Sequence, residues 1–145
     1  MLRLIEFSVP GQPQGKGRAR VSTHGGFARA YTPEKTAAYE NLIKLSCVDR
    51  MKDLQPLKGA IKISITAFYA MPKAFSRKKC KSALLGEIRP QTKPDLDNIV
   101  KVVCDALNKI AYADDKDIVE VHARKYYDLT PRIEVIMTSD EEGLE

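Results

Sequence analysis

Residues 2–9 alternate apolar and polar side chains as a half-buried strand does. The Gly-, Pro- and Gln-rich stretch 10–20 breaks that alternation and reads as a loop. A hairpin is expected around residues 23–26, with 18–22 and 27–31 as its arms. Thr32-Pro33-Glu34 then has the form of a helix start: Thr32 as N-cap, Pro33 at the first helical position, an acid in the first turn. That helix is expected to run to about Lys52, burying Ala38, Leu42, Leu45 and Val48. Residues 60–69 give the clearest strand, Ile61, Ile63 and Ile65 alternating with Lys62, Ser64 and Thr66. Over 95–110 the period changes to three and four, with Leu96, Ile99, Val100, Val103, Leu107 and Ile110 as one apolar stripe of a helix. Strands are expected again at 118–127 and 133–137. With neither repeat nor linker, the pattern predicts one α+β domain over residues 1–138, helices packed on a mixed or antiparallel sheet, and an acidic, flexible tail at 139–145.

No apolar run is long enough to span a bilayer, and the N-terminus lacks the apolar stretch of a secretory signal, so a cytoplasmic protein without membrane contact is expected. Cys47, Cys80 and Cys104 form no C-x-x-C pair, and His24 and His122 stand apart, which argues against structural zinc and a disulfide framework. Charge adds a sharper feature. The net charge is +5, but residues 1–93 hold 18 Lys and Arg against 6 Asp and Glu, while 94–145 hold 6 against 13. A phosphate-binding first part and a second part that gathers carboxylates are therefore expected.

On the polar side of the 95–110 helix, Asp97, Lys101 and Asp105 recur at i, i+4 and i+8. Asp95 stands at the helix start, and Asp114-Asp115 follows one turn beyond the helix end. Each acid also has a purely structural role open to it: Asp95 as a cap, Asp97 as complement to the helix dipole, the triplet as an exposed ion-pair ladder. The chemical alternative is magnesium held by a few carboxylates and waters, with a lysine for developing charge, as phosphodiester cleavage needs. Carboxylates alone would repel DNA, and the cationic first part of the chain, with Lys16-Gly17-Arg18-Ala19-Arg20 in its loop, supplies the attraction. The basic run Arg77-Lys78-Lys79-Cys80-Lys81 reads as a short exposed helix with a solvated face.

Lys93-Pro94-Asp95-Leu96-Asp97-Asn98-Ile99-x-Lys101, then Asp105-Ala106-Leu107-Asn108 and Asp114-Asp115, resembles the RusA family of Holliday junction resolvases. Lys16-Gly17-Arg18-Ala19-Arg20 and Tyr31-Thr32-Pro33-Glu34-Lys35 are similar to that family's N-terminal pattern. The resemblance implies a RusA-like fold and a homodimeric, Mg2+-dependent endodeoxyribonuclease that nicks four-way junctions symmetrically, often phage- or prophage-encoded. It implies Asp95, Asp97 and Asp115 as metal-binding and catalytic carboxylates and Lys101 as the catalytic lysine. DNA contact falls to Lys16, Arg18, Arg20, Asn98 and Lys101. The turn 109–113 lacks the family's common Gly, which leaves Asp114 as a rival to Asp115. Two other functions stay open on the residues: a nuclease for flaps or other branched replication intermediates, and a non-catalytic DNA-binding protein.

Overall fold

The structure is a computed structural model that describes residues 2–17, 20–26, 28–31 and 33–141. In chain order its strands are β1 (Leu2–Pro10), β2 (Arg20–Ser22), β3 (Arg29–Tyr31), β4 (Ile61–Ala70), β5 (Ile118–Asp128) and β6 (Arg132–Asp140). Its helices are α1 (Glu34–Met51), α2 (Arg77–Leu84) and α3 (Leu96–Leu107). Four strands form one mixed sheet in the order β1-β6-β4-β5, while β2 and β3 make a small antiparallel hairpin of their own. The fold is α+β, as the pattern predicts.

The sheet registers align its apolar positions into rows. Phe7 faces Val135, which faces Ile65; Ile5, Met137 and Ile63 form the next row, and Val9, Ile133 and Ala67 a third. All nine are buried, because a pleated strand turns every second side chain to one face. α1 and α3 cover that face and contact each other. β6 is antiparallel to both neighbours, but β5 runs parallel to β4. A parallel neighbour requires a crossover. The chain makes it with α2, α3 and the turn after them, so every acid of the candidate site lies inside that one connection.

Several boundaries and faces differ from the expectations. α1 begins at Glu34 with Pro33 outside it at the N-cap, so Pro33 is not the first helical residue; Thr32, expected as the cap, lies outside the described residues. Its buried side is Thr36, Tyr39, Ile43, Cys47 and Met51, while Ala38, Leu45 and Val48 are exposed and Leu42 is half-buried. Apolar residues are spread around this helix, and packing on β1 and α3 selects the stripe one position away from the expected one. α3 stops at Leu107 rather than Ile110, because Lys109 takes a left-handed conformation (φ 67°) that ends the helix. At the C-terminus β6 continues to Asp140, two residues into the expected tail. Glu141 is held there by Arg3 Nη1 at 3.1 Å and the Lys58 N–H at 3.1 Å. No helix among the described residues is long and apolar enough to cross a membrane.

Candidate active site

α3 carries the candidate acids because its apolar stripe is buried against the core, which turns its polar side outward. Asp95 is its N-cap, with extended backbone, yet its carboxylate makes no capping hydrogen bond. The purely structural role for Asp95 is thus not taken up, and its carboxylate stays exposed. The residue before it is fixed from the core side: the Tyr69 hydroxyl donates to the Pro94 carbonyl at 2.5 Å. Burial first, then the charge of Asp95, push the Tyr69 hydroxyl up to about 12, so it stays a neutral donor. Asp97 and Lys101 are exposed on the same helix and enter no ion pair among the described residues. The ion-pair ladder open to Asp97, Lys101 and Asp105 as a structural role does not form among the described residues.

Asp105 pairs instead with the loop after β1. Lys16 Nζ lies 3.3 Å from Asp105 Oδ2 and makes a short contact with Glu40 Oε1 from α1. Burial alone would lower the Lys16 pKa, but the hydrogen bonds and charges of Glu40 and Asp105 outweigh it and hold the ammonium above its ordinary value. The loop backbone is also seated on the helices: Lys16 N–H donates to the Asn98 carbonyl at 3.1 Å, and Gly17 N–H to Thr36 Oγ1 at 3.1 Å. The seat is close enough that side chains are excluded. A Cβ on Gly15 would lie 3.0 Å from Asn98 Cβ, and one on Gly17 would lie 2.4 Å from Thr36 Oγ1. Between this loop and the start of α3 runs a cleft of about 650 Å3, walled by Gln12, Lys16, Lys35, Lys93, Asp95 and Asn98 among others. Arg18 lies outside the described residues, and Arg20 is described only as backbone in β2.

Asp114 and Asp115 part ways. Asp114 accepts the Lys116 N–H at 3.0 Å and so caps the 3-10 turn Asp115–Asp117. Asp115 has a buried Oδ1 without a hydrogen-bond partner among the described residues. Burial pushes its carboxyl up; contact with the Tyr112 hydroxyl offsets part of the rise, and Asp105 and Asp114 add to it. Tyr112 gives its proton to the Cys104 carbonyl at 2.7 Å. The Cys104 thiol is raised to about 11 by burial and by Asp115 and Asp105, which makes it unreactive.

The acids therefore fall into two groups along α3. Asp95 and Asp97 stand at its start, and Asp105 and Asp115 meet near its end, roughly 15 Å of helix rise further on. Among the described residues no three of His, Cys, Asp and Glu converge into a ready-made metal cage. The donors are all oxygens, the type a hard cation takes, and one of them, on Asp115, is buried without a partner among the described residues. Glu40, Tyr69 and Tyr112 were not singled out from the sequence. Asp105, the partner of Lys16, did carry a signal there, through its place on the polar face of α3.

A basic loop seated on an acid-bearing helix, in a strongly cationic chain, defines a protein built to handle polyanions at a carboxylate site. The family model for endodeoxyribonuclease RusA matches residues 10–138, and the chain belongs to this family of Holliday junction endodeoxyribonucleases, hydrolases of phosphodiester bonds. A relative from Bacillus subtilis (strain 168), the uncharacterized protein YqaN, is 35% identical over 135 residues, covering 92% of this chain and 94% of the relative.

Proposed function

We propose that this endonuclease resolves four-way DNA junctions by paired, symmetric nicks, that it depends on magnesium, and that it serves recombination and repair in the cytoplasm. The observation that carries the reading is the N-cap carboxylate of Asp95, which declines to cap its helix and faces the cleft beside Lys93 and Asn98. In this reading Asp95, Asp97 and Asp115 are the metal-holding carboxylates, which requires the start of α3 and the Asp115 turn to draw together from the two groups described above; the metal would activate water and steady charge on the scissile phosphate. Support for Asp115 over Asp114 comes from the capping bond that occupies Asp114 and the orphaned oxygen of Asp115.

The chain's own residues do the rest. Lys101, exposed one turn after Asp97, meets the phosphate charge. Asn98 contacts the DNA backbone from the wall of the cleft, and Arg18 and Arg20, on the arm that follows β1 in the chain, are further DNA contacts of this reading. Lys16 contributes by tying that arm to α1 and α3, and a direct DNA contact requires it to leave Glu40 and Asp105. A homodimer presents two identical sites to a two-fold substrate, which is the physical basis for paired cuts.

The test is Asp97→Asn on synthetic four-way junctions with magnesium. Loss of cleavage with retained binding is expected; retained cleavage refutes the assignment. Competition among junction, flap and plain duplex at fixed salt identifies the preferred branch.

A further inference from the structure

The segment between β4 and α3 carries Lys73, Arg77, Lys78, Lys79, Lys81, Arg89 and Lys93 against two acids, Glu87 and, at its last position, Asp95. Its centre, α2, is docked by its apolar side. Ala83 is fully buried, and the Phe75 ring just before the helix meets Tyr127 of β5 edge-on at 5.5 Å. At 100° per residue, Arg77, Lys81 and Lys78 span one outward face opposite Ala83. All three are exposed, and none has an ion-pair partner among the described residues. Lys79 is the exception, spent on the Phe75 ring at 4.4 Å.

A merely solvated face explains this poorly. The first turn of α2 has no acid and three bases, the reverse of what a helix dipole rewards. The Ser76 side chain accepts from Lys79 N–H and keeps the helix start in place against that repulsion. The patch is also joined to the candidate active site. Lys125 Nζ donates to the Thr92 carbonyl at 2.7 Å, and Arg89 Nε donates back to the Lys125 carbonyl at 2.5 Å while its guanidinium stacks on Tyr126 at 3.8 Å. Lys93, the next base along, already lines the cleft with Asp95.

We infer that α2 is a second DNA-binding surface, taking the phosphate backbone of a duplex arm on the side of the scissile phosphate opposite the loop after β1. The inference rests on the DNA-cleaving reading above and extends it: the segment carrying α2 leads through Lys93 to the acids at the start of α3, where the cleft with the loop after β1 opens, so the enzyme grips both arms that flank the cut.

The experiment compares the wild type with Arg77→Ala/Lys78→Ala/Lys81→Ala in binding to a synthetic four-way junction in EDTA, across a range of salt. Alanine keeps helix propensity; the same three positions as glutamine give a second variant should the first unfold. Lys44→Ala/Lys52→Ala/Lys58→Ala, on and after α1 at the β1 edge, removes equal charge elsewhere. Each lost phosphate contact lowers the slope of log K against log salt by about 0.9, so the α2 variants are expected to lose roughly 2.7. A fourfold rise in salt then weakens the wild type about 40-fold more than the α2 variants, while the control keeps the wild-type slope. An unchanged slope in the α2 variants, or an equal drop in the control, overturns the inference and leaves the nuclease reading standing. A wild type that binds no junction overturns both.

Discussion

The contact between Gly17 and Thr36 lends itself to a double-mutant cycle. Gly17→Ala places a Cβ 2.4 Å from Thr36 Oγ1, about 1 Å inside ordinary van der Waals separation. Thr36 has little freedom to yield: it is 5% exposed, β-branched, and its Oγ1 accepts the Gly17 N–H. Overpacking of this kind costs about 1–3 kcal/mol, and the strained hydrogen bond about 0.5–1.5 kcal/mol more. Thr36→Ala alone takes the acceptor from the half-buried Gly17 N–H, at about 1 kcal/mol. In the double variant the clashing atom is gone, and the remaining neighbours of the new Cβ, Pro33 Cγ at 3.4 Å and the residue-36 Cβ at 3.7 Å, are at normal contact distance. The double variant is therefore expected to cost little more than Thr36→Ala alone, some 2 kcal/mol less than the sum of the singles. Urea unfolding midpoints at constant m measure this directly. Junction cleavage should follow the same order, lowest in Gly17→Ala, because the displaced loop no longer lies along Asn98. Additivity within about 0.5 kcal/mol would refute the packing argument.

Asp115→Asn is expected to abolish cleavage yet stabilise the metal-free protein. Because the folded pKa of Asp115 lies above its unfolded value, the favourable contribution belongs to the protonated form and is lost as pH rises from the ordinary carboxylate range through the raised folded value. Thermal melts in EDTA should therefore show the wild type losing stability across that window and the variant losing less. Magnesium at tenfold its Kd should restore about 1.4 kcal/mol to the wild type and nothing to the variant. Tyr69→Phe removes the bond to the Pro94 carbonyl. A loss of about 1 kcal/mol is expected, with kcat falling more than junction affinity; an unchanged kcat would separate Tyr69 from the placement of Asp95.

Strand positions were legible where alternation survives folding: β4 buries every second, apolar position, and β1 and β6 do the same apart from exposed Leu2, Leu4 and Ile136 and buried Ser139. α3 was legible in part: Ile99, Val103 and Leu107 of the expected stripe are buried and joined by Val102 and Ala106, while Leu96, Val100 and Ile110 are only half-buried. α1 was not, since Leu45 and Val48 are as apolar as Ile43 and Cys47, and only contact with β1 and α3 decides which are buried. The motif from Lys93 to Lys101 and the Asp114-Asp115 pair could be read as chemistry, but their spacing in space could not. Lys16 shows the limit. Its partners, Glu40 and Asp105, lie on two different helices, and no local pattern records that a base in a Gly-rich loop closes against both.

The parallel pairing of β4 with β5 has a consequence for how such enzymes diversify. Everything between Ala70 and Ile118 is an excursion that leaves the sheet and returns to it, and the registers of β1, β6 and β4 do not depend on its length. Doubling a flexible connection costs only about 0.6 kcal/mol in closure entropy. The stretch holding α2 can thus be shortened, lengthened or recharged as a replaceable module, upstream of acids whose placement is set by α3. Selection acting on substrate shape has, in this one crossover, a part it can rebuild without disturbing the core.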